Sequence, residues 1–229
     1  MGKRYSGIIF SWEKRGGNYR VIIRDGYSFI LAAILAAILL GVAVSPWWAA
    51  GPIVLALYFA YFFRNPTRHI PEDDSLLVSP ADGTVMEISA LAYNDFVKEP
   101  CHKIVIFMSV FDVHVNRSPL AGEVKCQQYI CGRFTPAYKD SVGFENERHM
   151  LGIENERLRV SVTQIAGILA RRIVSWVTLD DVLAKGDQYG MIRFGSCVEV
   201  VMPRSVKVMV EKGQKVVGGE TVIGRIQDV

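Results

Sequence analysis

The segment YGMIRFGSCVEVVMP, residues 189–203, places a glycine and a serine between two apolar runs that have the pattern of β-strands. Glycine tolerates backbone conformations that other residues avoid, and a serine hydroxyl becomes a useful nucleophile only with a base beside it. Gly195-Ser196 therefore has two interpretations. It is a tight turn between strands, or it is a peptide bond that the chain itself cleaves.

A second segment, FMSVFDVHVNRSP (residues 107–119), contains a candidate base. Asp112, His114 and Asn116 alternate along it, so in an extended chain their side chains lie on one side. A carboxylate two residues from an imidazole can hold the ring in one tautomer or raise its pKa. Because the Asp-x-His pattern is common, a purely structural role is the alternative.

Two further segments carry candidate charged residues. Asp82 stands in SPADG, where an ordinary Asp-Gly turn is the alternative explanation. The tetrapeptide ENER occurs at 145–148 and again at 154–157, and a histidine follows the first copy. Arg148 and His149 could bind an anionic group, because the guanidinium fork suits phosphate. A surface array of charges is the alternative there.

Hydrophobic residues are concentrated near the N-terminus. No charged residue occurs in residues 27–44 or 46–63, and at about 1.5 Å per residue each run approaches the thickness of a bilayer core. Pro46 interrupts the helix, and Trp47 and Trp48 are typical of a membrane interface. We predict an N-terminal helical membrane hairpin, spanning or re-entrant. A cleaved signal peptide and a buried soluble hairpin are the alternatives.

Positive charges flank this hairpin on both sides. They are Lys3, Arg4, Lys14, Arg15, Arg20 and Arg24 before it, and Arg64 and Arg68 after it. The positive-inside rule then places both ends on the cytoplasmic side, where the charges would attract anionic lipid. The expected organisation is a basic segment at 1–26, the membrane hairpin at 27–63 and a cytoplasmic domain at 64–229.

The cytoplasmic domain is predicted to be mainly β, of the α+β class. Strand-like runs at 103–109, 157–167, 196–203, 205–213 and 221–226 are separated by turn residues, whereas 171–183 is ambiguous between helix and strand. Segments 78–88 and 208–226 have a strand–turn–strand pattern, and the second resembles half of a lipoyl-type β-sandwich motif. Lys207 is poorly placed for a carrier lysine. We expect a β-sandwich or barrel-like domain with lipoyl-like hairpin elements.

Composition excludes several classes. A net charge of +3 gives no indication of nucleic-acid binding. The four cysteines have no CxxC or zinc-ligand spacing, which favours reduced thiols and no metal site. Cys197 is expected to be a small buried residue on the face of its strand opposite to Ser196.

The motifs FFRNPTR, SPADG, DVHVNRSP, NER and RFGS occur in the order and approximate spacing of the phosphatidylserine decarboxylase family. The chain resembles the short, membrane-anchored form of that proenzyme family over nearly its whole length. FGS together with the upstream Asp-x-His is fairly specific, whereas ADG or NER alone is not.

The resemblance implies that the chain cleaves itself between Gly195 and Ser196. Ser196 Oγ would attack the Gly195 carbonyl to form an ester, and elimination would leave dehydroalanine, which hydrolyses to a pyruvoyl group and ammonia. The products would be chains 1–195 and 196–229. The pyruvoyl ketone would form a Schiff base with the substrate amine and withdraw electrons as carbon dioxide leaves, so neither pyridoxal phosphate nor a metal is implied.

The resemblance also implies roles for other residues. Asp82 and a histidine would act with Ser196 in self-cleavage. Longer family members carry a second histidine three residues after the first, where this chain has Arg117, so the base is either His114, which would also protonate the product carbanion, or His149. Arg117, Arg148 and His149 are the candidates for binding the substrate carboxylate or phosphate.

The implied function is conversion of phosphatidylserine to phosphatidylethanolamine by a homo-oligomer at the cytoplasmic side of the cell membrane. Archaetidylserine is an alternative substrate, because no motif reads the lipid chains. A non-enzymatic membrane adaptor with a lipoyl-like domain is the alternative from another class, and an adaptor would remain one intact chain. A serine hydrolase is disfavoured because FGSCV lacks the GxSxG elbow.

Overall fold

The computed structural model describes residues 21–132, 146–167, 172–193 and 195–227. The chain divides into two compact units, with one unit ending at Thr67 and the other running on from Arg68. Some predictions concern residues outside the described part, namely Lys3, Arg4, Lys14, Arg15, Arg20, Glu145, Arg171 and Phe194.

The first unit is a pair of helices, as the two apolar runs predict. Helix α1 spans Tyr27–Ala43 and helix α2 spans Ala50–Phe62, with short 3-10 turns at Arg24–Gly26 and Pro46–Ala49. The two ends of the pair are joined, because the Ile23 amide donates to the Phe63 carbonyl at 2.9 Å. The proline at the start of the second turn separates the helices, since its ring cannot continue α1.

Small side chains lie buried between the two helices. Ala33 and Ala37 of α1 and Ala56 of α2 are the buried examples, and small residues let helix backbones approach closely. Outward-facing apolar side chains such as Leu31 and Val54 are 64% and 66% exposed. Within the described residues, Arg24–Ala43 is the single helical segment long and apolar enough to cross a membrane, with a mean hydropathy of 2.3. This favours membrane association.

The second unit is mainly β, which confirms the predicted fold class. The described residues contain fourteen strands: β1 (Leu76–Val78), β2 (Gly83–Leu91), β3 (Cys101–Met108), β4 (Val115–Arg117), β5 (Gly122–Ile130), β6 (Arg148–Glu154), β7 (Arg159–Ala166), β8 (Ile173–Ser175), β9 (Val182–Leu183), β10 (Gln188–Ile192), β11 (Ser196–Pro203), β12 (Val206–Val208), β13 (Lys215–Val216) and β14 (Val222–Ile226).

The strands form one large and two small antiparallel sheets. The large sheet has the order β13-β2-β3-β11-β7-β6-β5-β9, and the small sheets have the orders β1-β14-β12 and β4-β10-β8. Alternate residues of the central strands enter one core, where Val160 and Val162 of β7 meet Val198 and Val200 of β11. This is the alternation expected of strands that bury one face.

The two strand–turn–strand segments are not hairpins. SPADG connects β1 to β2, and these strands belong to different sheets. In the second segment β12 pairs with β14, while β13 between them pairs with β2 of the large sheet. Alternation cannot reveal this, because it predicts strands and not their partners. The ambiguous stretch 171–183 contains the short strands β8 and β9.

Candidate active site

Backbone pairing brings the three predicted motifs together. The Arg117 amide donates to the Pro80 carbonyl at 2.8 Å, which ties the DVHVNRSP segment to SPADG. Ser196, the first residue of β11, is paired with Met108, the last residue of β3. From Met108 the chain runs through a turn to His114 and β4. The serine, the histidine and the SPADG loop are therefore neighbours in the fold, although they lie far apart in sequence.

Gly195 has a backbone conformation that suits glycine. Its φ is +63°, in the left-handed region that other residues occupy at a cost. A β-carbon at this position would meet only Val110 Cγ1, at an ordinary 3.8 Å. The backbone conformation, and not a lack of space for a side chain, therefore favours glycine at position 195. Ser196 follows with its side chain fully buried at the edge of the core.

His114 is oriented with one ring nitrogen toward Gly195. Its Nδ1 lies 2.9 Å from the backbone carbonyl of Asp112, and its Nε2 lies 3.3 Å from the Gly195 amide nitrogen. A carbonyl can only accept, so Nδ1 carries the hydrogen and Nε2 accepts from the Gly195 N–H. The lone pair that a general base needs is thus on Nε2 of a buried imidazole, where it accepts from the amide of the residue whose carbonyl forms the Gly195–Ser196 bond.

The tautomer of His114 is set differently from the sequence-based prediction. The carboxylate of Asp112 accepts from the Ser109 amide at 2.8 Å, and the Asp112 carbonyl holds the imidazole. The reason is local: Asp112 lies in the turn before β4, where a carboxylate caps a backbone N–H. His114 and Asn116 are both fully buried, as expected for residues on one face of an extended segment.

The Ser196 hydroxyl donates to the thioether of Met108, with 3.6 Å between Oγ and Sδ. A thioether is a weak acceptor and takes no proton at neutral pH. The hydroxyl must therefore rotate about its own C–O or Cα–Cβ bond before a nitrogen base can remove its proton.

Cys197 lies on the other face of β11, as predicted. It packs against Ile165 and Val105, outside the main core. Burial raises the pKa of the Cys197 thiol to about 12, so the thiol stays protonated and is a poor nucleophile at neutral pH.

Asp82 is held by a buried ion pair. Its carboxylate accepts from Arg68 Nη2 at 2.8 and 2.9 Å and from the Gly218 amide at 2.8 Å. The side chains of Arg68 and Asp82 are 9% and 15% exposed. The hydrogen bonds of Asp82 thus do not include His114 or Ser196. Arg68 was expected, as one of the basic flanks, to attract anionic lipid, but its side chain is mostly buried and paired with this carboxylate.

Arg117 is buried within the same part of the fold. It is 7% exposed, and its Nη1 donates to the Gly186 carbonyl at 3.0 Å. It therefore lies on β4 three residues after His114, inside the domain and not on its surface.

Arg148 and His149 do not act as one site. They are successive residues of β6, so their side chains leave opposite faces of the sheet. His149 points into the core, where its Nδ1 lies 3.1 Å from Gln164 Oε1 and its Nε2 lies 3.0 Å from Gln127 Nε2. Burial lowers the pKa of His149, opposed by the hydrogen bond to Gln164. Both ring nitrogens are thus engaged away from Gly195.

Sequence reasoning missed three residues of this region: Arg68 as the partner of Asp82, Met108 as the partner of Ser196, and Gln164. For Gln164 a signal was present, because it occupies an inward-facing position of the alternating run 159–166. Within the described residues, no group of three or more His, Cys, Asp or Glu side chains is arranged as metal ligands.

Comparison with known proteins assigns the family. The family model for phosphatidylserine decarboxylase matches residues 55–224. A phosphatidylserine decarboxylase proenzyme of Carboxydothermus hydrogenoformans is 46% identical over 208 residues, which cover 90% of this chain and 97% of the relative. A protein of the same name from Symbiobacterium thermophilum is 46% identical over 209 residues, covering 90% and 96%. One from Syntrophus aciditrophicus is 43% identical over 205 residues, covering 89% and 96%. This chain therefore belongs to the phosphatidylserine decarboxylase family.

Proposed function

We propose that this chain is a self-processing decarboxylase that converts phosphatidylserine to phosphatidylethanolamine with a pyruvoyl group made from Ser196. Membership of the family supports the reaction and the proenzyme state. The observation that carries the self-cleavage is local: a glycine at φ +63° precedes a buried serine, and a histidine nitrogen lies 3.3 Å from that glycine's amide. A non-enzymatic adaptor has no use for this arrangement.

Self-cleavage begins when His114 Nε2 releases the Gly195 N–H, and the Ser196 hydroxyl turns from Met108 and loses its proton to that nitrogen. Ser196 Oγ then attacks the carbonyl carbon of Gly195, the C–N bond breaks as His114 passes the proton to the Ser196 nitrogen, and an ester replaces the amide. Loss of the Ser196 α-proton and cleavage of the Cβ–Oγ bond release chain 1–195 with a carboxylate at Gly195. The dehydroalanine left on chain 196–229 takes up water and loses ammonia to become the pyruvoyl group.

The surroundings of residue 196 fit such a group. Ser196 is fully buried, which shields the group from water, and a β-carbon on Gly195 would contact only Val110, at 3.8 Å. When formed, the ketone supplies the electron withdrawal that loss of carbon dioxide requires. His114 returns a proton to the substrate from Nε2. The hydrogen bond from its Nδ1 to the Asp112 carbonyl keeps the ring in the same orientation.

Charged residues near the site have separate proposed roles. The Arg68–Asp82 pair fixes the SPADG loop, and we keep Asp82 as a participant in self-cleavage that reaches His114 only after local rearrangement. Arg117, on the strand that follows His114, is the proposed ligand for the substrate carboxylate or phosphate, since its guanidinium fork suits either group. His149, with both nitrogens engaged in the core, is not proposed as the base.

The helix pair is proposed to anchor the enzyme in the membrane with the catalytic domain on the cytoplasmic side, where the lipid substrate needs only lateral diffusion to reach it. Arg64, which lies over the Tyr61 ring at 3.8 Å, is the remaining basic residue directly after the hairpin in this proposal. A homo-oligomer is expected from the family resemblance, and light scattering of the detergent-solubilised enzyme measures it.

Denaturing mass spectrometry of the purified protein tests the proposal. We expect two chains that separate after Gly195, the shorter with a ketone in place of its amino group, and release of carbon dioxide from phosphatidylserine vesicles. The Ser196→Ala variant should remain one chain and be inactive. An intact wild-type chain with full decarboxylase activity would refute the pyruvoyl assignment.

A further inference from the structure

A chain of hydrogen-bonded side chains crosses the core between the two sheets that meet at the site. His149 Nδ1 lies 3.1 Å from Gln164 Oε1, and Gln164 Nε2 lies 2.8 Å from Asn116 Oδ1. His149 is 3% exposed and the two amides are fully buried. We call these three residues the buried amide chain. Gln127 contacts its outer end, at His149 Nε2.

The donors of this chain run in one direction. An amide oxygen only accepts, so His149 Nδ1 carries a hydrogen and donates it to Gln164. Gln164 must then present its NH2 group to Asn116 Oδ1, which leaves the Asn116 NH2 group facing Met108 Sδ at 3.7 Å. Reversing any one amide would place two donors or two acceptors together in the core, and such unsatisfied buried groups are costly.

Two members of the buried amide chain belong to the two halves of the cleavage site. Gln164 is paired with Val198 of β11, two residues from Ser196. Asn116 lies on β4, two residues from His114, in a different sheet. The approach is close: a β-carbon at Gly190 of β10 would lie 3.1 Å from Gln164 Nε2. The chain thus connects the strand that follows His114 to the sheet that carries Ser196.

We propose that His149 and Gln164 are positioning residues for self-cleavage. Apolar contacts between two sheets tolerate small displacements, whereas a directional chain of buried hydrogen bonds is satisfied in one register. Through Asn116, the chain sets β4, and with it the distance from His114 Nε2 to Gly195. This inference rests on the proposed self-cleavage.

Two substitutions of His149 separate the effect of losing its hydrogen-bond donor from the effect of changing its side-chain volume. His149→Leu removes the donor to Gln164 and lets that amide reverse. His149→Gln supplies an amide N–H that can donate to Gln164 and preserve the direction. We expect self-cleavage of newly translated full-length precursor to slow about 10- to 100-fold in His149→Leu, because displacements of about 1 Å have effects of this size. His149→Gln should recover most of that loss.

Leu151→Ala is the matched control. Leu151 is fully buried on the same strand but lies outside the amide chain, so it reports what loss of core packing alone does to the cleavage rate. In the uncleavable Ser196→Ala background, His149→Leu should also shift the NMR signals of the His114 ring and the Gly195 amide, and Leu151→Ala should leave them in place.

The outcomes distinguish the two proposals. Slow cleavage in His149→Leu, recovery in His149→Gln and shifted His114 signals support the positioning role. If His149→Leu cleaves at the rate of Leu151→Ala while the wild type is processed normally, the positioning role is overturned and the proposed function stands. A wild-type precursor that never cleaves overturns both.

Discussion

Replacing His114 by glutamine removes a base from the cleavage site but keeps a hydrogen-bond acceptor there. In the native chain His114 Nε2 accepts from the Gly195 amide at 3.3 Å. A glutamine side chain can place its carbonyl oxygen near the same point and accept that bond. It cannot take the Ser196 proton, because an amide is not basic at neutral pH.

The expected slowing of self-cleavage follows because His114→Gln removes the base but keeps the hydrogen-bond acceptor. General base catalysis by a positioned side chain contributes about 10²- to 10⁴-fold in rate, which corresponds to about 3 to 5 kcal/mol of activation free energy. Since the hydrogen bond to Gly195 is retained, little of the loss should come from misfolding. We therefore expect His114→Gln to slow self-cleavage by about 10²- to 10⁴-fold with a nearly unchanged free energy of unfolding.

Pulse-labelled cell-free translation followed by denaturing electrophoresis measures the conversion of the precursor into two chains. His102→Gln, on β3 away from the Gly195–Ser196 bond, is the control for the loss of a histidine. Urea unfolding in the Ser196→Ala background checks that the fold is kept. Cleavage of His114→Gln within threefold of the wild-type rate, in a folded protein, would refute the assignment of His114 as the base.

Three further predictions concern stability. Gly195→Ala, introduced into Ser196→Ala, should lower the free energy of urea unfolding by about 1 to 2 kcal/mol through its left-handed φ alone, and no loss would contradict that conformation. Arg68→Gln should lower the free energy of unfolding by about 3 kcal/mol, because it leaves the mostly buried Asp82 carboxylate without its cation. Adding Asp82→Asn in the same chain should recover at least half of that loss, and additive losses in this double-mutant cycle would contradict the pairing. Burial raises the pKa of Glu199, and the charge of Lys103 opposes this shift. The folded state therefore keeps the Glu199 proton to higher pH than the unfolded state, so the free energy of unfolding falls as pH rises above about 4.5. Glu199→Gln should therefore melt higher than the wild type at pH 8 but not at pH 4, and equal differences at both values would contradict the raised pKa.

Strand positions were readable from sequence where one face of a strand is apolar. The run SCVEVVMP predicts a strand at 196–203, and β11 has those bounds, because valines alternate into the core and Pro203 ends the ladder. The break at Gly195-Ser196 and the two apolar helices were readable for the same reason: each depends on residues close together in the chain.

The side-chain partners of residues that lie far apart in the sequence could not be predicted. Asp82 bonds to Arg68 because SPADG crosses from one sheet to another, and nothing local fixes that crossing. The alternation of β6 shows that Arg148 and His149 face opposite ways, but which of them faces the core depends on its register with β7. Gln164 was missed although its position carried a signal, because a polar residue at an inward position of an alternating run requires a buried partner.

The proposed cut falls between strands that depend on each other. Three of the strands after it pair with earlier strands: β11 lies between β3 and β7, β13 pairs with β2, and β14 pairs with β1. Before cleavage, folding is a first-order event within one molecule. After cleavage, an unfolded enzyme must reassemble from two chains, so refolding becomes second order and the short chain loses the high effective concentration that its covalent link provided. Each precursor chain should refold at a rate that does not depend on concentration, whereas the refolding rate of the processed enzyme should fall on dilution. In a dilute membrane the lifetime of the processed enzyme is then set by its unfolding rate.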